Sequence, residues 1–359
     1  MKKFLLWCIF TFILLFYNSN ETMILEDIQH VSAIGYDYVD DDRMKGTAAA
    51  PFYPAGINVE PLDAFFTAEG HTFLDILQKQ QLESQRKLVT GRLQNFLISK
   101  ELAKHGVAEL TDPLGRSTDI GRDVYMAVVD GSVEDLLTFK YSNAPTSAEY
   151  LSDFMERNLK DIIPKPTVHI FLEQYNGFVQ DPFLPMIEKK HDHIRYKGLA
   201  LFKGDHYVGA LSDKESYLFT LLYEKTKTGT DQISLKNKKY IAIQNIRSKV
   251  KYKVSGSQDD PRVDVHVSFL GEVKDAPSIS LGEDTLKEME QEWSEGTMQR
   301  ANKMMDKFKK LEVDPLGITE KVRSHFRNFD KKAWEERYPT VPVEFHMKIR
   351  ITNTGITNK

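Results

Sequence analysis

Cysteine is nearly absent: Cys8 is the single one among 359 residues. That excludes an intramolecular disulfide, a cysteine-rich zinc site and a CxxC redox pair. A surplus of either charge is missing too. The 48 basic and 52 acidic side chains leave a formal net charge of -4, which excludes a nucleic-acid binder with a uniformly basic surface. HExxH, GxSxG, the P-loop and a strand-preceded GxGxxG do not occur, nor does a fixed-period repeat, so no common hydrolase or nucleotide site is expected. What remains is 41% apolar and 28% charged, a globular rather than a disordered composition. At about 150 residues per domain, the length allows two or three domains.

The longest apolar run lies at the N-terminus. Lys2 and Lys3 precede fourteen uncharged residues, Phe4 to Tyr17, the order of an export signal. A helix needs about 20 residues to cross a bilayer, so an export signal fits better than a full span or a buried helix of a cytosolic protein. Phe16, Tyr17, Asn18 and Ser19 offer no small-x-small cleavage site. Residues 1–20 are therefore expected to stay attached as a signal and membrane-anchor segment. Cys8, following Trp7 inside this run, reads as an apolar filler.

Beyond it, strands are expected over Val31–Tyr38 and Lys45–Tyr53, separated by the acidic turn Asp40-Asp41-Asp42. Thr72 opens a helix with Phe73, Leu74 and Leu77 on one face. Leu88–Ile98 reads as a strand, and Ser99 caps a short helix stopped by Gly106. Asp123–Val129 is a strand, and helices cover Val133–Leu137 and Ala148–Ile162. The main boundary is placed at Lys189-Lys190-His191-Asp192-His193, giving an N-terminal mixed α/β domain over 21–193 and a C-terminal domain over 194–359 that allows a subdivision near 275. In the latter, Arg195–Phe202 and His206–Leu211 form a hairpin around Gly204, and Ser216–Tyr223 a helix. Tyr240–Ser255 and Arg262–Val273 are long strands. A helix over Leu281–Leu311 aligns Leu286, Met289, Trp293, Thr297, Met304, Phe308 and Leu311 in one apolar stripe. Its acidic first half and basic second half match the helix dipole and read as a solvated face. Asp314-Pro315-Leu316-Gly317 ends it, a shorter helix runs from Thr319 to Asp330, and Val341–Ile351 closes the chain as a strand. The fold class is α+β: several mixed domains with antiparallel sheets and one long helix.

Chemistry-bearing clusters are few. His191 and His193 flank Asp192, but two histidines lack the third protein ligand of a zinc site. The Asp40–Asp42 triplet lacks the spaced oxygen ligands of a calcium loop. Glu290 and Glu292 lie on different sides of a helix and form no acid/base pair. No catalytic, cofactor-binding or metal-ligating residue is assigned. Trp334 and Phe345 read as core anchors.

One series of segments is nonetheless specific by its order. Gly198-Leu199-Ala200-Leu201-Phe202-Lys203-Gly204-Asp205 is followed by Val208-Gly209-Ala210-Leu211, Asp314-Pro315-Leu316-Gly317, Trp334 and Val343–Gly355. Upstream stand Ala33-Ile34-Gly35-Tyr36-Asp37, Glu101-Leu102-Ala103-Lys104-His105-Gly106 and Asp130-Gly131-Ser132-Val133-Glu134-Asp135-Leu136-Leu137. From about Ile24 to Gly355, this arrangement resembles the Ger(x)C spore germination proteins, the C subunits of nutrient germinant receptors. The resemblance implies a non-enzymatic lipoprotein on the outer face of the spore inner membrane. It would accompany integral membrane A and B subunits, use no cofactor and contact no nucleic acid. An exported solute-binding or scaffold protein acting alone is the alternative, and a secreted hydrolase a third reading.

The family carries a Gly-Cys lipidation motif where this chain has Asn18, Ser19 and Asn20. Serine has no thiol to accept diacylglycerol, so Phe4–Tyr17 itself, or contact with A and B subunits, is expected to retain the protein. Metabolic labelling with a fatty acid should leave the chain unlabelled; lipid on any residue would contradict this.

Overall fold

The computed structural model describes Trp7, 27–54, 59–160, 162–224, 229–234, 240–276, Ile279 and 282–352. Apart from Trp7, the expected anchor segment with Cys8 and Ser19 lies outside these residues. Among them, no helix is long and apolar enough to cross a membrane.

In chain order the strands are β1 (Ile28–His30), β2 (Ala33–Asp40), β3 (Arg43–Phe52), β4 (Leu62–Gly70), β5 (Lys87–Val89), β6 (Asn95–Ser99), β7 (Tyr125–Val129), β8 (Phe183–Lys190), β9 (His193–Lys203), β10 (His206–Ser212), β11 (Thr230–Ser234), β12 (Tyr240–Gly256), β13 (Pro261–Asp275) and β14 (Val343–Thr352). The helices are α1 (Phe73–Glu83), α2 (Lys100–His105), α3 (Ala108–Arg116), α4 (Val133–Leu137), α5 (Ser147–Asp153, continued by a π-turn Phe154–Leu159), α6 (Val168–Asn176), α7 (Asp213–Tyr223), α8 (Glu283–Leu311), α9 (Ile318–His325) and α10 (Lys331–Arg337).

Eight strands form one sheet in the order β10-β9-β8-β7-β6-β2-β3-β4. The middle four are parallel and antiparallel hairpins complete both ends. Parallel strands are covered on both faces, which explains the unbroken apolar runs of β6 and β7. Met126 and Val128 enter the core beneath α1, α2, α3 and α6, while Ala127 and Val129 enter the opposite one. The second core continues without a break into a four-stranded sheet, β11-β12-β13-β14, and the helix laid on it. There Val263, Val265, Val267 and Phe269 of β13 face Met289, Trp293, Met304 and Phe308 of α8, all buried.

The sheets are mixed, since β14 pairs parallel with β13. Residues 193 and 194, where the domain division was expected, begin β9. Its hairpin with β8 lies inside the large sheet, so the second half of the chain supplies that sheet with β9 and β10.

Several expectations need correction. Leu88–Ile98 is not one strand: β5 pairs with β1 in a small sheet of its own, and a turn closed by Leu93 N–H to Thr90 O separates it from β6. Leu74 is exposed; α1 buries Phe73, Ile76 and Gln80 instead, because the Gln80 carboxamide donates to Gly46 O and Phe66 O. The helix from Thr319 stops at His325, and Asp330 caps the separate α10. The basic half of α8 is not wholly a solvated face. Arg300 pairs with Asp231 of β11, Lys307 lies 3.4 Å from Glu215 of α7, and Lys309 donates to Val341 O at 2.6 Å.

The closest backbone approach lies at Gly198, where β9 bulges against β8 and pairs with Ser212. Its φ of 145° suits glycine, and a Cβ would lie 1.8 Å from the Leu211 carbonyl oxygen. Gly198→Ala is therefore expected to lower unfolding stability by at least about 2 kcal/mol in urea titration; an unchanged midpoint would refute the packing described.

Candidate functional site

Three aspartates in the segments singled out in the sequence each cap the start of a helix, and two of them do so across the chain. Asp37 at the end of Ala33–Asp37 accepts the N–H groups of Val133 (2.8 Å) and Glu134 (2.9 Å) at the start of α4. Asp205, beside the Gly204 turn (φ 61°), accepts those of Val107 and Ala108, both at 3.1 Å, at the start of α3. Asp314 accepts Ile318 N–H at 2.9 Å and Thr319 N–H at 2.6 Å at the start of α9. The first turn of a helix leaves main-chain donors without partners, and a carboxylate there satisfies them with charge-assisted bonds. Asp37 and Asp205 come from distant parts of the chain, so each cap is also a tertiary clasp.

Asp314 closes the most buried of these. Main-chain bonding at the end of α8, with Glu312 left-handed at φ 54°, turns the chain so that Asp314 enters the seam between the large sheet and α9. Asp181, on the segment before β8, answers it reciprocally: its carboxylate accepts Asp314 N–H at 2.7 Å, and its own N–H donates to Asp314 O at 3.1 Å. Asp181 also accepts the Gly204 N–H, and Gln180 donates to Pro315 O at 2.8 Å. Burial pushes the Asp314 carboxyl up to about 6; the neighbouring Asp181 adds to this and the Thr319 and Ile318 amides oppose it. Burial likewise raises Asp181.

Above the seam lies a cleft of about 700 Å³. Phe178, Trp334 and Tyr338 line it and belong to an aromatic row joined by Phe329, in which Phe178 faces Phe329 at 6.5 Å, Phe329 faces Trp334 at 5.8 Å and Trp334 faces Tyr338 at 6.0 Å. Trp334 is buried and donates its indole N–H to Thr319 Oγ1 at 2.8 Å, as expected of a core anchor; Phe345 is buried as well. Lys203 and Glu312 pair at the rim. Gln174 of α6 also lines the cleft, and its buried carboxamide meets no partner among the described residues. A carboxyl raised to about 6 suits a general acid, but both Asp314 oxygens already hold main-chain amides. The arrangement fastens two layers; it does not present a reactive atom.

His191 and Asp192 form the β8–β9 turn rather than a strand, with His191 at φ 49° and His193 Nδ1 at 2.8 Å from Asp192. One group the sequence reading missed could hold a cation: Asp264, Glu344 and His346, whose ligand atoms lie within 4.8 Å of one another. The signal was an Asp-x-His and a Glu-x-His on neighbouring strands in register. Lys251 and Lys253 of β12, both exposed, stand opposite His266 and Asp264. Their charges weigh against a divalent cation, and His346 already binds Asp264 at 2.8 Å.

Against known families, residues 21–189 match the spore germination protein N-terminal domain, and residues 197–355 the spore germination B3/GerAC-like C-terminal domain. The spore germination protein GerQC of Bacillus cereus is 28% identical over 99% of this chain and 100% of its own. YfkR of Bacillus subtilis is 21% identical over 82% of this chain and 79% of its own. The crystal structure of the GerBC protein has the same fold, with a TM-score of 0.61 over 90% of this chain and 97% of that one at 15% identity.

A carboxyl raised on folding binds its proton in the native state before the unfolded chain does. The Asp314 contribution is therefore greatest near pH 4 and is lost as pH rises through about 6. Asp314→Asn turns an amide group toward one of the two main-chain donors and should cost about 1–3 kcal/mol. The gap between the two proteins, read by urea unfolding, should be wider near pH 4.5 than near pH 7.5. A gap that widens with pH would show that Asp314 is not a buried, raised acid.

Proposed function

The chain belongs to the Ger(x)C family of spore germination proteins, and on that premise we propose that it is the C subunit of a nutrient germinant receptor. In this reading it lies on the outer face of the spore inner membrane beside the integral membrane A and B subunits, and nutrient-triggered germination requires it. The observation that supports this best is the end-to-end likeness: both halves match the family's two domains, and GerQC aligns along 99% of this chain. The site geometry supports a role by contact rather than bond-making. Asp37 and Asp205 spend their oxygens on main-chain donors of distant segments, and Asp181 does the same for the Asp314 N–H. A body fastened in this way presents fixed surfaces to its neighbours, as a receptor subunit must. Phe4–Tyr17 supplies the membrane tether.

A tagged chain solubilised from spore membranes should bring down two integral membrane proteins. Spores lacking it should fail to respond to a nutrient while still germinating with a receptor-independent trigger. Recovery of the chain alone, together with an unchanged nutrient response in spores without a paralogue, would overturn the proposal.

A further inference from the structure

Four of the exposed apolar side chains lie together where β3 ends and β4 begins. The β3–β4 hairpin ends on the pair Phe52 and Leu62. Phe52 is 38% exposed, Tyr53 75%, Val59 44% and Leu62 44%. Leu82, 87% exposed, ends α1, and the neighbouring Gln81 is bound to β5 through Arg86 O and Leu88 N–H. Single exposed apolar residues are ordinary, but several at one end mark a contact surface.

The chain enters the fold at this same end. Ser32 N–H donates to Ala49 O, the Gln29 carboxamide donates to Ala50 O at 3.0 Å, and Ile28 pairs with Lys87. Thus β1 runs antiparallel beside the last residues of β3, and its first residue points back toward the apolar run. Only ten residues, Asn18 to Asp27, separate Tyr17 from Ile28, a reach of at most about 35 Å. A tether in the bilayer therefore keeps this end nearer to the lipid than the opposite end of β3. The far end of β3, about 30 Å away along the strand, carries the Asp40–Asp42 turn, with Arg43 paired to Asp40 and Glu69. At the near end Arg86 and Lys87 offset two of the three carboxylates Asp27, Glu60 and Glu83, so this end is close to neutral and its contact with lipid is carried by the apolar side chains rather than by charge.

We propose that the apolar end of the β3–β4 hairpin, led by Tyr53 and Phe52, rests in the headgroup region of the bilayer that holds the tether. Tyrosine favours that boundary, with an apolar ring and a polar tip. The contact sets which way the body faces: Phe52 and Tyr53 toward the lipid, acidic turn away from it. It rests on reading Phe4–Tyr17 as a membrane segment.

The test uses the full chain in vesicles of three parts phosphatidylcholine to one part phosphatidylglycerol, with and without nitroxide-bearing lipid. An environment-sensitive fluorophore is placed at native Cys8, or, in a Cys8→Ser background, at Tyr53→Cys, Val59→Cys or Asp41→Cys. Quenching several-fold stronger at positions 53 and 59 than at 41, with Cys8 quenched as well, is the expected result. Quenching at Cys8 but not at 53 or 59 overturns the hairpin contact and leaves the tether standing. Loss at all positions removes the tether reading and the inference with it. A blue shift at 53 that appears only with co-reconstituted A and B subunits, without quenching, assigns the tip to a protein contact and overturns the lipid one.

Discussion

The burial of Asp314 is the constraint around which the two layers are arranged. A carboxylate taken out of water is costly unless hydrogen bonds replace its hydration. Here the replacements are the Ile318 and Thr319 amides, and they exist only while α9 starts at Ile318 and α8 ends at Leu311. Asp181 must then stand where it can take the Asp314 N–H, which fixes the segment entering β8. The apolar core running from the large sheet into the four-stranded one makes the same demand on a larger scale. Polar clasp and apolar core agree, so the fold behaves as one body although its sequence falls into two family domains.

That rigidity bears on function. In the proposed role by contact, the chain acts through where its surfaces are held. The clasps at Asp37 and Asp205 tie strands or their turns to helix starts on the two faces of the large sheet, and the Asp181–Asp314 exchange ties the segment entering β8 to the end of α8. In that role, a change of contact at one face would be carried as a movement of the whole body rather than absorbed by local bending.

Much of this was legible from local pattern. The alternation of Val263, Val265 and Val267, the stripe from Met289 to Phe308, the Ser99 cap and the Gly204 turn each depend on neighbours a few residues away. The clasps were not, because they depend on residues far apart: Asp181 and Asp314 are separated by 133 positions and Asp231 and Arg300 by 69. Nothing in the periodicity of either segment records its partner. Leu74 shows the opposite failure: its spacing fitted a buried face, but the polar bonds of Gln80 set the rotation of α1. The break within Leu88–Ile98 was marked by Thr90-Gly91, a turn signal outweighed by the apolar residues around it. The aspartates were visible as members of the family-like segments, yet only the fold shows that each caps a helix.

Native-state hydrogen exchange at the seam tests the central claim most directly. If Asp314 joins the two layers into one cooperative unit, the Ile318 and Thr319 amides should exchange with the same free energy as Leu199 and Ala200 in the middle of β9, through global unfolding alone. Exchange of the seam amides through a lower-energy opening that leaves β9 protected would show two separately stable parts, and the single-body account would be wrong.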